Sequence, residues 1–149
     1  MWSLRGISLS RFCWPVRVYY EDTDSGGVVY YANYLKFMER ARTESLRAAG
    51  FEQDRLRQDQ GILFTVYSVQ VDFKRPAIFN DALVVSAEIS EQRRASLTFF
   101  QEVRRAGEKD VLCSGHIRIA CVDAQSFKAI AIPDFIFSEL TRVCCFILF

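Results

Sequence analysis

The feature that most constrains the fold is a single long helical pattern, which is followed by a run of strand patterns. The helical pattern covers residues 31–49. Asn33 or the residues just before it are suited to cap its start, and Gly50 is suited to the left-handed position that ends a helix. The apolar stripe expected to face the core consists of Leu35, Met38, Ala41, Leu46 and Ala49.

Strand patterns lie on both sides of this helix. Before it, Val16, Val18 and Tyr20 fall on one face of an alternating segment. After it, turn residues such as Asn80-Asp81 separate further alternating segments, and links this short favour antiparallel neighbours. These later strands are predicted over residues 62–74, 82–91, 96–104 and 111–123.

One helix cannot cover both faces of such a sheet, but a strongly curved antiparallel sheet can wrap around it. We therefore predict an α+β domain over residues 14–141, with a flexible leader at 1–13 and an apolar tail at 142–149. A short C-terminal helix is predicted to begin near Pro133. The outer face and the edges of the sheet are left for a partner subunit, which predicts a homodimer or homotetramer.

Composition argues against several classes of function. The 149 residues carry a net charge of +1, so no global field attracts nucleic acid or an anionic membrane. No apolar run approaches the roughly 20 residues that span a bilayer, and Arg5 and Arg11 interrupt any signal-peptide core. The five cysteines lack the paired spacing of zinc or redox sites, so neither a metal nor a cofactor is indicated. Free thiols favour a location in the reducing cytoplasm.

A loop rich in acidic residues and glycine lies directly before the helix, with the sequence EDTDSGGVVYYAN over residues 21–33. A helix N-terminus offers unpaired N–H groups that suit a developing oxyanion, and a carboxylate just upstream is placed to attack a carbonyl or to activate water. A carboxylate beside a helix N-terminus is better suited to hydrolyse a thioester than an amide. A thiol has a pKa of about 8.5, so it leaves as a thiolate without being protonated. From the residues alone, the alternative is that Asp22 and Asp24 serve only as turn and capping residues.

The run VRVYYEDTDSGGVVYYANYLKFMERARTESLRAAGF resembles the signature region of the 4-hydroxybenzoyl-CoA thioesterase family. It is most similar to the branch of acyl-CoA thioesterases associated with the bacterial Tol–Pal system. Weaker similarity continues through VDFKRPA and IACVD to about residue 134. The resemblance implies the hot-dog fold, a helix wrapped by an antiparallel sheet, which agrees with the arrangement predicted above. It also implies hydrolysis of an acyl-CoA thioester, with acyl-carrier-protein thioesters as a second candidate substrate.

The same resemblance implies roles for individual residues. The second Asp of the D-x-D pair, Asp24, is implied to be the nucleophile or the general base. The backbone N–H of Tyr31 is implied to polarise the thioester carbonyl. Asp22 and Asn33 match the motif and are expected to hold the loop. The residues implied to bind the substrate or to shape its approach are Gly26, Gly27, Tyr30, Asn33 and Tyr34. Tyr20 is a further candidate, although its ring is equally suited to pack in the core.

Two basic pairs are candidates for the phosphates of CoA, because arginine forks suit phosphate. Arg93 and Arg94 in EQRRAS resemble the phosphate-contacting turn of the family, although Ala95 stands where the aromatic-CoA enzymes carry a further basic residue. Lys74 and Arg75 form the second pair, for which solvated strand-end charges are an equal alternative. In hot-dog dimers such residues often act across the subunit boundary, so both assignments depend on assembly.

Two other functions stay open at this point. A hydratase or dehydratase of this fold usually pairs a histidine with a carboxylate, whereas the single His116 lies far along the chain from Asp24 and is expected to be structural. A non-catalytic binding module for acyl-carrier or envelope-associated proteins is the other, and the intact D-x-D pair argues against it. No G-x-S-x-G elbow is present, so a serine triad is not indicated.

Overall fold

The computed structural model describes residues 11–144, in which five strands form one antiparallel sheet. The spatial order of the strands is β1-β3-β4-β5-β2, so β1 and β2 lie at the two edges. The four later strands begin at the predicted residues and end within one residue of the prediction. The strands are β1 (Phe12–Arg17), β2 (Ile62–Phe73), β3 (Ala82–Gln92), β4 (Ser96–Arg105) and β5 (Val111–Asp123).

The long helix α1 (Asn33–Ala48) packs on the inner face of the sheet, mainly against β1 and β3. Phe37, Met38 and Ala41 are fully buried there. Gly50 ends the helix with a φ of 98°, a backbone angle that glycine adopts readily and other residues avoid. The predicted α+β arrangement, one helix wrapped by a curved antiparallel sheet, is therefore confirmed.

Two positions of the predicted core are wrong. Leu35 is 39% exposed because it lies on the flank of α1 that faces away from β1 and β3. Tyr20 is 77% exposed because the chain leaves β1 after Arg17 and forms a single 3-10 turn over Tyr20–Asp22. The ring of Tyr20 stacks on that of Phe79, with centroids 3.9 Å apart.

The division into leader, domain and tail stays a prediction, and the described residues add detail at its two ends. β1 begins at Phe12, inside the predicted leader, because the ring of Phe12 packs against the core. The predicted C-terminal helix is confirmed as α3 (Asp134–Val143), and the Cys144 that follows it is buried. Most of the leader and of the apolar tail lies outside the described residues. Within residues 11–144, no helix is long and apolar enough to cross a membrane.

A short helical segment joins α1 to β2. It consists of α2 (Gln53–Arg55) and a π-helical turn over Leu56–Gln60, and Gly61 ends it with a φ of 67°. Leu56 anchors this segment in the core.

The inner face of β2 is left uncovered, because α1 lies over the other edge of the sheet. Val66, Val69 and Phe73 are paired with buried residues of β5, so their side chains share the inner face. They are nevertheless 48%, 44% and 51% exposed. We call the apolar inner residues Phe64, Val66, Val69, Val71 and Phe73 the β2 stripe.

Candidate active site

The acidic loop before α1 is a tight chain reversal. Thr23 bridges to Val29, and the N–H of Asp24 donates to the carbonyl oxygen of Val28 at 2.9 Å. The turn closes where the N–H of Gly27 donates to the carbonyl oxygen of Asp24 at 3.0 Å. Gly27 has a φ of 82°, so this turn requires glycine at that position. The reversal brings the residues that start the helix back alongside the D-x-D pair.

The Asp24 carboxylate is exposed and is held at one oxygen only. Its Oδ1 accepts a hydrogen bond from the N–H of Gly26 at 2.8 Å. A methyl group at Gly26 would lie 3.2 Å from the same oxygen, so a larger residue there would require the carboxylate to shift by a few tenths of an ångström. Oδ2 has no hydrogen-bonding or ionic partner among the described residues, and it is available to a substrate or a water molecule.

The backbone N–H of Tyr31 is available in the same way. The first bonds of the helix run from Asn33 N to the carbonyl of Tyr30 at 2.8 Å and from Tyr34 N to that of Tyr31 at 3.3 Å. They use the carbonyl groups of Tyr30 and Tyr31 and leave the Tyr31 N–H without an acceptor in the described part of the chain. An unpaired N–H at the start of a helix is suited to stabilise an oxyanion.

Asp22 and Asn33 fasten the loop to the helix, as expected from the motif. Both side chains are buried. Asn33 Nδ2 donates to the carbonyl oxygen of Asp22 at 2.8 Å, and Tyr30 N donates to the same oxygen at 2.9 Å. The Asp22 carboxylate accepts from the N–H of Tyr19 at 2.8 Å. Because the Asn33 amide is directed at the loop backbone, it positions the loop.

A cavity of about 260 Å³ opens beside Tyr31. The hydroxyl of Tyr34 fixes one wall by accepting from the N–H of Ala77 at 3.1 Å, and burial raises the pKa of this hydroxyl. The ring centroid of Phe73 lies 5.7 Å from that of Tyr34 and 6.0 Å from that of Tyr31. The lining residues are Val29, Tyr31, Tyr34, Phe73, Lys74, Arg75 and Pro76.

The structure thus brings Tyr31, Tyr34, Lys74 and Arg75 to one cavity. Arg75 also forms an ion pair with Asp110 at 3.3 Å, in which both side chains are largely exposed. Tyr30 lies at the surface with its ring centroid 4.9 Å from that of Tyr31. Gly26 and Gly27 form the turn and do not line the cavity. Asp24 does not line it either, so in a single chain the carboxylate stands outside the cavity.

Arg93 and Arg94 are not brought to this cavity. They lie on the turn between β3 and β4, where Arg93 forms an ion pair with Glu91 at 3.2 Å. The loop of Asp24 lies at the other end of β3, and a strand of 11 residues spans about 35 Å. Within one chain, these two arginines therefore cannot contact a thioester bound at Tyr31.

His116 lies on the outer face of the sheet, against the ring of Phe100 at a centroid distance of 5.0 Å. The cavity beside Tyr31 lies on the inner side. The pairing of a histidine with the Asp24 carboxylate, which a hydratase would need, is absent within the described chain.

Sequence reasoning missed Phe73 and Val29 as cavity residues. The signal for Phe73 was available, because it precedes Lys74-Arg75 on a strand whose alternation puts it on the inner face. Val29 gave no signal, because its place in the wall follows from its backbone bond to Ala77 across the loop.

Comparison with known proteins identifies the family of the chain. Residues 26–112 match the model of the thioesterase superfamily. The "Acyl-CoA thioesterase YbgC" of Haemophilus influenzae is 44% identical over 122 residues, which are 82% of this chain and 88% of the relative. The "Acyl-CoA thioester hydrolase YbgC" of Escherichia coli is 44% identical over 136 residues, 91% of this chain and 100% of the relative.

A solved structure, the probable thioesterase from Bartonella henselae, superimposes with a TM-score of 0.78 at 31% identity. The match covers 83% of this chain and 100% of that one. The resemblance stated from the sequence and the hot-dog fold that it implied are both confirmed. The chain therefore belongs to the thioesterase superfamily, as an enzyme that hydrolyses thioesters.

Proposed function

We propose that the chain hydrolyses acyl-CoA to a free acid and CoA, with Asp24 and the Tyr31 N–H as its reacting and polarising groups. The observation that carries the proposal is the pairing of an unengaged carboxylate oxygen with an unengaged helix N–H across one tight turn. The names of the relatives, which are acyl-CoA thioesterases, support the same substrate class.

In this mechanism the thioester carbonyl oxygen accepts a hydrogen bond from the Tyr31 N–H, which stabilises the negative charge that develops on it. Asp24 either removes a proton from water, whose oxygen adds to the carbonyl carbon, or adds to that carbon itself. In the second case an acyl-aspartyl anhydride forms and water then hydrolyses it. The carbon–sulfur bond breaks in both cases, and CoA leaves as a thiolate because the pKa of a thiol is only about 8.5.

The cavity beside Tyr31 offers different surfaces to two parts of the substrate. The rings of Tyr34 and Phe73 offer an apolar wall to the acyl group or the pantetheine arm. Lys74 and Arg75 at the rim offer cations to the phosphates of CoA. Gly26, Gly27 and Tyr30 border the approach to Asp24.

We further propose that the working unit is a homodimer built through β2, either alone or within a tetramer. β2 is an edge strand with an exposed apolar stripe, and such edges pair readily with another strand. A partner there would enclose the exposed Asp24 carboxylate, and it offers a way for Arg93 and Arg94 of the second copy to approach the phosphates.

The assembly is tested by replacing Val69 with Lys and measuring the molar mass by light scattering. A charge at this exposed position of the stripe should dissociate the dimer and remove most of the activity. Glu108→Lys, in the exposed turn between β4 and β5, is the control that should do neither. A dimer that survives Val69→Lys would contradict the β2 interface.

The activity is tested with a panel of acyl-CoA and acyl-carrier-protein thioesters, in which release of the free thiol is followed. We expect turnover of at least one class of acyl-CoA. Hydration of enoyl-CoA without thiol release would favour the hydratase alternative. Binding of an acyl carrier protein or an envelope protein with no hydrolysis across the panel would favour the binding module.

We also propose a cytoplasmic location and a role beside the Tol–Pal system. Cys113, Cys121 and Cys144 are buried free thiols, which is consistent with a reducing compartment. The Tol–Pal association rests on the sequence resemblance alone. Co-purification of the chain with Tol–Pal components from its native cells tests it.

A further inference from the structure

The loop between β2 and β3 bonds to the chain on both sides of the acidic turn that precedes α1. It comprises residues 74–81, and we call it the β2–β3 loop. Upstream of the turn, the N–H of Val18 donates to the carbonyl oxygen of Asp81 at 3.0 Å. Downstream of the turn, the N–H of Val29 donates to the carbonyl oxygen of Ala77 at 2.9 Å. The shape of the acidic turn therefore depends on the position of the β2–β3 loop.

Burial does little to fix the β2–β3 loop. From residue 74 to residue 80, every residue except Ala77 is exposed. A surface segment with so few buried contacts opens at low cost in free energy. The position of this loop must therefore be fixed by polar contacts with the more rigid sheet.

Arg105 supplies such contacts from the end of β4. Its Nε donates to Asp81 Oδ2 at 2.9 Å, and its Nη2 donates to the carbonyl oxygen of Pro76 at 2.8 Å. The same Asp81 oxygen accepts from the N–H of Ile78 at 2.9 Å. A guanidinium is planar and rigid, so its two nitrogens hold both acceptors at a fixed separation. Arg105 thus joins the two ends of the segment 76–81.

Arg105 holds the loop at more points than any other side chain does. The hydroxyl of Tyr34 and the guanidinium of Arg17 each bond to one residue of the loop. In the described part of the chain, only Arg105 bonds from outside the loop to two of its residues. The side chains of Arg105 and Asp81 are 28% and 16% exposed, so water and salt screen their attraction less than that of a fully exposed pair.

We propose that Arg105 is a positioning residue for thioester hydrolysis. It fixes the β2–β3 loop, and through this loop it sets where the Asp24 carboxylate lies relative to the Tyr31 N–H. The inference rests on the proposed function, because it takes these two groups as the reacting and the polarising group. Arg105 does not line the cavity beside Tyr31, so it acts through the two loops and not by contact with the substrate.

The loss of Arg105 should affect catalysis more than substrate binding. Lys74 and Arg75, at the start of the β2–β3 loop, are held separately. Their N–H groups donate to the carbonyl oxygen of Leu112 at 2.8 and 3.0 Å. The two cations offered to the phosphates of CoA therefore stay in place when the bonds made by Arg105 are lost.

The experiment replaces Arg105 with Met, which keeps much of the apolar stem and removes both donors. Hydrolysis of the best acyl-CoA is measured well below the Tm of the variant, so that unfolded protein does not contribute. We expect kcat to fall about tenfold, because a small displacement of a reacting group has an effect of this order. KM should change by less than about twofold, because the groups that bind the substrate are kept.

Amide resonances in nuclear magnetic resonance spectra give a second readout, which does not depend on activity. The N–H of Gly26 donates to Asp24 Oδ1, so its resonance reports on the position of the carboxylate. The N–H of Tyr31 reports on the start of the helix. Both resonances should move in Arg105→Met.

Arg11→Met is the matched control. Arg11 also forms ion pairs with carboxylates, those of Glu88 and Glu102 at 2.8 and 2.7 Å, and its side chain is 34% exposed. It precedes β1, a strand of six residues that spans about 20 Å and separates it from the acidic turn. The control should lower Tm by a similar amount and change neither kcat nor the two resonances.

A second variant keeps the test decisive if Arg105→Met does not fold. Arg105→Lys keeps a positive charge beside Asp81, but a single amino group cannot hold the Pro76 carbonyl at the same time as the fork does. It should show the same changes as Arg105→Met at smaller amplitude.

The outcomes separate the two proposals. Resonances of Gly26 and Tyr31 that move no more in Arg105→Met than in Arg11→Met overturn the positioning role, and so does an unchanged kcat. Lack of thiol release by the wild-type protein on any acyl-CoA overturns the proposed function, whereas the resonances still decide whether Arg105 fixes the acidic turn.

Discussion

Replacing Asn33 with Ala removes the one side-chain bond that joins the start of α1 to the D-x-D loop. The Asn33 amide donates to the carbonyl oxygen of Asp22 at 2.8 Å, and both residues are buried. An unsatisfied buried acceptor costs about 1–3 kcal/mol. Because Tyr30 N still donates to the same oxygen, we expect the lower part of that range, about 1–2 kcal/mol.

The assay has two readouts. Thermal unfolding should show a decrease in Tm of about 3–6 °C, as expected for a domain of this size. Steady-state hydrolysis of the best acyl-CoA should show kcat reduced about tenfold to a hundredfold, because small displacements of a reacting group have effects of this order. The loss of kcat should exceed what the fraction of unfolded protein explains, because the loop that carries Asp24 is no longer fastened.

Ser45→Ala is the matched control for this prediction. Ser45 is a fully buried polar residue of the same helix, and its hydroxyl donates to the carbonyl oxygen of Arg42 within that helix. Its replacement should lower stability by a similar or smaller amount and leave kcat unchanged. If Asn33→Ala lowers Tm but not kcat, the reasoning that the loop must be fastened for catalysis is refuted.

Three other substitutions give distinct outcomes. Gly26→Ala places a methyl group 3.2 Å from Asp24 Oδ1, so kcat should fall about tenfold with little change in Tm, and a stable but fully active variant would contradict this. Gly27→Ala meets open space but requires a φ of 82°, so urea unfolding should show a loss of about 1 kcal/mol. Burial opposes ionisation of Glu102, but hydrogen bonds from two arginines, one of them Arg11, outweigh it and lower its pKa. This stabilisation is present above the ordinary pKa of Glu and is lost as the pH falls through the lowered value. Glu102→Gln should therefore cost about 1–2 kcal/mol at pH 7 and less in acid, and an equal cost at both pH values would contradict the assignment.

Periodicity predicted the secondary structure well, because the local pattern and the final burial agree over most of the chain. In Ala82–Gln92 the alternate residues Leu83, Val85, Ala87 and Ile89 are all buried, as their spacing predicts. The pattern failed where tertiary geometry decides. Leu35 fits the helical stripe, but it is 39% exposed, on a flank of α1 that is not packed against β1 or β3. Tyr20 continues the alternation of β1, but the bonds within the Tyr19–Asp22 turn take the chain out of the strand.

The candidate site was predictable where its residues are neighbours in sequence. Asp24, Gly26, Gly27 and Tyr31 are neighbours in sequence, so a local motif suffices to place them together. The contribution of Phe73 depends on the path of β2 past the helix. This property cannot be read from a local pattern.

The central claim is that the Asp24 carboxylate reacts, and one measurement tests it most directly. Asp24→Asn keeps an oxygen that can accept from the N–H of Gly26, so the turn should persist and Tm should change little. With the preferred acyl-CoA we expect kcat to fall by about a hundredfold to ten-thousandfold, because Asn can neither remove a proton nor add to the carbonyl. Asp54→Asn, at an exposed site in α2, is the control and should keep full activity. Wild-type turnover by a folded Asp24→Asn protein would contradict the account.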